Sequence, residues 1–246
     1  LALLDAKDLP HPPLEALFTT QEEVGLEGAK AFDAGLISGE RFINIDTEEE
    51  GVFCVSCASG RRCVMTVPAV WEPVGAIEGS AAYRAYEVSI EGLAGGHSGL
   101  EIHKGRGNAN RLLIRVLNDL ATRFGARLAG MAGGTAPNVI SSKSHAVICA
   151  TAGKAELEAE LESLRATFAK ELQASDGAGL TIGLSAREMP EKVLGKAMAA
   201  KCMAMGLLIP DGVLAYDLAI KGGLFVETSH NFAIIETTDE AVRFSS

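Results

Sequence analysis

No stretch of this chain approaches the ~18 uninterrupted apolar residues that a membrane span requires, and no basic segment with an apolar core behind it opens the sequence. Neither a spanning helix nor a secretory leader is therefore expected. Basic residues are scarce as well: 22 Lys and Arg stand against 32 Asp and Glu, a net charge of −10. A phosphate backbone is bound by concentrated cations, and a run such as DTEEEG at residues 46–51 would repel it, which excludes nucleic acid as a partner. Cysteine lacks organisation. Cys54 and Cys57 form one C-x-x-C, no second pair follows, and the five thiols lie in apolar surroundings. That pattern predicts reduced thiols in a cytoplasmic protein rather than a structural zinc site. The nucleophile motif G-x-S-x-G, fixed-period repeats and low-complexity tracts are all absent.

What is present is apolar material, 48% of 246 residues, enough for one large domain or two small ones. The pattern changes near Ala82. Residues 1–82 read as part of an α/β domain. Residues 14–19, opened by HPP, and residues 41–46 (RFINID) read as strands, the second apolar up to its last position as in a strand buried on both faces. A short helix over 25–35 lies between them, a third strand covers 51–59, and a connection follows from Gly60.

Residues 83–246 carry clearer periodicity. Tyr86, Val88 and Ile90 alternate with Glu87, Ser89 and Glu91, and Leu113, Val116, Leu117, Leu120 and Phe124 recur at helical spacing over 108–124. Strands at ARLAGMAGG and HAVICAT, a helix over 155–172 and a strand at GLTIGLS complete the order β-α-β-β-α-β, that of a ferredoxin-like split unit. A helix opened by Pro190 and running to about Met205 follows, then a strand, a turn at 238–240 and a returning strand.

Ligands gather at the carboxyl ends of parallel strands. Glu22 and Glu23 follow the first predicted strand and Asp46 ends the second, so three carboxylates would meet at one sheet edge. One could ligate a metal while another takes a proton from metal-bound water; the alternative is a solvated loop. Glu48, Glu49 and Glu50 read as solvated. His97, with two glycines before it and one after Ser98, is left accessible by a tightly turning backbone, as a site residue or as an ordinary surface histidine. Asn138 lies in the turn signal GGTAPNVI.

In this order, TTQEEVG, INIDTEEEG, GLAGGHSGLEIHKGRGNAN, GGTAPNVI and VETSHN resemble the aminoacyl-histidine (Xaa-His) dipeptidases of the di-zinc peptidase and deacylase group. The resemblance implies an α/β metal-binding catalytic domain followed by a ferredoxin-like lid and dimerisation domain. It implies hydrolysis of dipeptides ending in histidine, two zinc ions (or manganese or cobalt), and a homodimer formed through the lid. Glu22 matches the general base, Glu23 a ligand of one zinc and Asp46 the carboxylate ligand of the other. His97 matches a lid histidine reaching, from the partner subunit, the oxyanion of the tetrahedral intermediate, and Asn138 falls in the segment that binds the substrate's carboxylate end. The family's His-x-Asp pair would precede residue 1, its last histidine ligand would lie past Ser246, and Pro137 replaces a basic residue. A fragment is therefore expected, one that by itself binds zinc poorly and lacks peptidase activity. The other readings are a non-catalytic dimerisation module, or a tripeptidase or deacylase of the same group.

Overall fold

Alternation decides where the core forms: in the eight-residue strand Arg84–Glu91 (β3), Tyr86, Val88 and Ile90 are buried while Glu87 and Ser89 are half-exposed. The structure, a computed structural model, describes residues 5–22, 25–45, 50–52, 59–219 and 225–246. It divides into two compact units, Leu1–Cys57 and Ala58–Ser246, taken separately here.

In the first unit the described residues contain a five-residue helix, Glu27–Ala31 (α1), and a 3-10 turn at Ala34–Leu36 capped by the Asp33 carboxylate. Glu15 accepts from the amides of Ser38 and Gly39 and from the Ser38 hydroxyl, each within 2.9 Å. The strands expected over 14–19 and 41–45 are not formed. Phe42, Ile43 and Ile45 are 77%, 81% and 91% exposed, the reverse of a strand buried on both faces. The physical reason is the lack of partners among the described residues: an extended segment becomes a strand only with a ladder beside it and a covered face, and the one short α-helix described there covers little. Most of the strand expected over 51–59 lies outside the described residues.

The second unit bears out the ferredoxin-like expectation. After β3 come the helix Ala109–Phe124 (α3), the strands Arg127–Gly133 (β5) and Ser144–Ala150 (β7), the helix Lys154–Glu171 (α4) and the strand Thr181–Arg187 (β8). The strands pair antiparallel in the spatial order β5-β7-β3-β8. The Asn108 side chain caps α3 by accepting from the amides of Asn110 and Arg111, and Gly125, at φ 62°, ends it. Leu113, Val116, Leu117 and Leu120 of α3 and Leu157, Leu161 and Phe168 of α4 are buried in one apolar core with β3, β5 and β7.

Two features depart from expectation. Residues 64–73 are no connection: Val64–Pro68 (β1) is the edge of a seven-stranded sheet, and Trp71–Pro73 (β2) pairs with Lys192–Leu194 (β9). The boundary expected near residue 82 thus falls inside the second unit. Gly212–Asp217 (β10) and Phe225–His230 (β11) form a separate antiparallel pair, and the seven-stranded sheet continues from β5 through Ile234–Thr237 (β12) and Ala241–Ser245 (β13) to β1, with the predicted turn between β12 and β13. Helix α5 spans Lys196–Leu208, so Pro190 does not open it; β9 intervenes and Gly195 is the N-cap. A Cβ on Gly206 would stand 2.7 Å from Ile114, so glycine lets α5 lie against α3. Among the described residues, no helix is long and apolar enough to cross a membrane.

Candidate active site

Two of the expected site residues are brought together by a ladder only two pairs long. Gly96–His97 (β4) pairs with Val139–Ile140 (β6), Gly96 opposite Ile140 and His97 opposite Val139. The Ser98 amide donates to the Asn138 carbonyl at 2.8 Å, and both His97 and Asn138 are exposed.

The imidazole orientation follows from a cap. His97 precedes the four-residue helix Ser98–Glu101 (α2), and its Nδ1 accepts from the Gly99 amide at 3.1 Å. An amide can only donate, so Nδ1 carries the lone pair and the proton of the neutral ring sits on Nε2. Among the described residues Nε2 has no hydrogen-bond partner. The ring thus offers an N–H donor one residue away from the backbone bond between Ser98 and Asn138.

The backbone around the histidine is pinned by charge. Glu101 Oε2 accepts from the His97 amide at 3.1 Å, and Oε1 accepts from Lys104 Nζ at 2.8 Å and meets Arg106 Nη2 at 2.9 Å. Arg106 Nη1 also donates to the Gly95 carbonyl. Lys104, Arg106 and the His97 amide hold the Glu101 carboxyl down to about 2 from its ordinary 4.5. With a depressed folded pKa, this support is present above about pH 4.5 and is lost as the pH falls toward 2. From the other side, Asn231 Nδ2 donates to the carbonyls of Pro137 and Val139 at 3.1 and 2.9 Å, holding the backbone around Asn138. Sequence reasoning missed Glu101, Arg106 and Asn231. The first two lie within the GLEIHKGRGNAN run and the third within ETSHN, so the motifs contained them without indicating their roles.

A cavity of about 360 Å³ lies beside this loop, lined by His103, Arg106, Ile140, Asp211 and Tyr216 among others. A larger hollow of about 650 Å³, over Trp71, His145 and Lys192, shares no residue with it. Asp211 Oδ1 accepts from Asn108 Nδ2 and the Phe232 amide, both at 2.9 Å. Burial pushes the Asp211 pKa up, against the lowering by the Phe232 amide, Asn108, Arg111 and His230. A carboxyl raised on folding favours the native state at low pH and loses that contribution as pH rises through its folded pKa. Asp211→Asn keeps an acceptor oxygen without the charge. It is therefore expected to melt above the wild type at pH 7, with the advantage gone below about pH 4. Melting curves at the two pH values check this, and a difference independent of pH would contradict it.

Of the remaining expected residues, only Glu22 is described. Glu22 is exposed, in a turn whose carbonyl accepts from the Gly25 and Leu26 amides. Glu23 and Asp46 lie outside the described residues. Among the described residues, no three His, Cys, Asp or Glu side chains come together to hold a metal ion. The described donors thus do not fit a metal by themselves.

Residues 88–176 match the family described as Peptidase dimerisation domain. Over 98% of its length the chain is 32% identical to the cytosol non-specific dipeptidase of Escherichia coli (strain K12), of which it covers 48%. A crystal structure of aminoacylhistidine dipeptidase from Vibrio alginolyticus matches 99% of the chain and 48% of its own, with a TM-score of 0.77 and 29% identity. The chain is similar to these dipeptidases over nearly its whole length. The resemblance and the α/β fold with a lid and dimerisation domain, both expected from the motifs, hold. The chain spans about half the length of the dipeptidases it matches.

Proposed function

We propose that the complete gene product is a cytoplasmic, homodimeric dipeptidase that hydrolyses dipeptides with a C-terminal histidine, such as β-alanyl-histidine. The observation that carries this reading is the braced His97, whose Nε2–H has no partner among the described residues and whose neighbour Ser98 bonds to the backbone of Asn138 in the turn before β6. Such a fixed donor suits the negative charge that develops when a peptide carbonyl is attacked. In this reading Asn138 contacts the substrate's carboxylate end, Glu22 accepts the proton of the attacking water, and Glu23 and Asp46 are metal ligands. Zinc, or manganese or cobalt, would supply Lewis acidity there. The match of residues 88–176 to a dimerisation domain supports a homodimer through the lid. The names of the relatives support dipeptide hydrolysis, one specifying histidine and the other calling itself non-specific. Residues 1–246 alone are proposed to be inactive.

The test is hydrolysis of β-alanyl-histidine and of dipeptides without histidine by the complete gene product, after chelation and after adding back zinc, manganese or cobalt. Preference for the histidine substrate with metal restored supports the proposal. Equal rates on all dipeptides would replace it with a broad dipeptidase. No hydrolysis of any dipeptide would leave the second reading, a dimerisation module, which the match over 88–176 favours.

A further inference from the structure

We infer that Glu101, held by Arg106, is a positioning residue for His97; this rests on the proposed role of His97. The two-pair ladder between β4 and β6 is too short to fix a backbone by itself, since isolated two-stranded pairs are marginal in water. The same ion pair grips the chain on both sides of Gly96. Glu101 takes the amide of His97, Arg106 takes the carbonyl of Gly95, and the two side chains meet each other. Gly96 itself stands at φ 131°, and a Cβ there would run into both Arg106 and Glu101. The glycine therefore serves the brace: it lets the ion pair close over the backbone immediately before the histidine.

Beyond the His97 backbone, the Gly99 amide fixes the ring itself. Backbone and ring are thus determined separately, and the direction of Nε2–H is set by Glu101, Arg106 and Gly99 together. The Glu101 and Arg106 side chains are 26% and 21% exposed and border solvent rather than the core. Ion pairs so placed contribute little to global stability. A misplacement of about 1 Å in a reacting group, in contrast, can cost on the order of 100-fold in rate. The brace is therefore expected to matter for orientation far more than for folding.

The experiment uses the complete gene product on a hydrolysable dipeptide, with Glu101→Gln and Arg106→Lys each placed in the wild-type and His97→Ala backgrounds. Each substitution is expected to lower kcat by roughly 10-fold or more in the wild type, with KM changed by less than about threefold. In the His97→Ala background the same substitutions should leave kcat within about twofold, because the group they orient is gone. Arg106→Lys retains the charge and covers the case in which Glu101→Gln misfolds. An unchanged kcat for both variants, or an equal fold-loss with and without His97, overturns the inference and leaves the role of His97 intact. A wild-type kcat in His97→Ala overturns both.

Discussion

Asn110→Asp is expected to destabilise this chain by about 3–5 kcal/mol, the cost of a buried charge left without a partner. Asn110 is fully buried on α3. Its Nδ2 donates to the carbonyls of Phe232 and Ala233 at 3.2 and 3.0 Å, and its Oδ1 accepts from the Ser141 hydroxyl at 3.2 Å. Aspartate is nearly the same shape but would turn an acceptor toward two carbonyls that now receive a donor. Either the charge stays buried against them, or the carboxyl takes up a proton and forfeits stability as the pH rises. Asn110→Leu should cost less, about 1–3 kcal/mol for the carbonyls left unsatisfied. Urea denaturation of the two variants beside the wild type measures both, and a loss below about 1 kcal/mol for the aspartate would contradict this account.

The size of that effect reflects what Asn110 joins. It links α3, the Ser141 turn after β6, and the Phe232–Ala233 segment that leads into β12. Asn231, next in sequence to Phe232, holds the Pro137–Val139 backbone. A Cβ on Gly133 would collide with Asn110 Oδ1 and Ser144, so that glycine is required by the same junction. The core pin and the candidate site therefore share one segment of chain. Loosening Asn110 should loosen the frame around Asn138 as well.

The split β-α-β-β-α-β unit was legible because each of its elements advertises itself locally. Alternation in β3 and helical spacing in α3 and α4 need only a short window of sequence. What was illegible depends on partners far along the chain. VMTVP in β1 reads as a connection until Ala241–Ser245 is placed beside it, and WEP in β2 until Lys192–Leu194 is. The converse error occurs over 41–46, where an apolar run suggests a buried strand and, among the described residues, no neighbouring strand is formed. Pro190 misled in a related way: proline permits a helix start, but pairing of β9 with β2 claims the residues that follow. In the site, glycines around His97 and Asn138 marked accessible turns. Asn108 and Asn110 lie in the predicted helix over 108–124 and Asn231 in the VETSHN run, but distant carbonyls and Asp211 give them roles that no local pattern marks. Glu101 and Arg106 carry no signal of their role because their target is backbone, which has no sequence signature.

His97→Ala in the complete gene product is expected to lower kcat by about 100- to 1,000-fold while changing KM little, the behaviour of a donor used chiefly in the transition state. The Nε2–H, without a partner among the described residues, is what the substitution removes, and the melting temperature should hardly move because His97 is exposed. The same variant can ask which subunit the histidine serves. Suppose His97 acts across the dimer on the site that contains the partner's own copy of Glu22. A His97→Ala subunit paired with a Glu22→Gln subunit then rebuilds one intact site, from the Glu22 of the first and the His97 of the second. Random mixing makes half the dimers hybrid, each with one working site of two, so activity should return to about a quarter of wild type from two nearly inactive parents. Were His97 to serve its own subunit, every site in the mixture would lack one of the two groups and no activity would return. Steady-state assays of the parents, taken through dissociation and reassociation separately and together, distinguish the cases. Recovery near one quarter would place the histidine in trans, and a rate no higher than the parents' average would place it in cis.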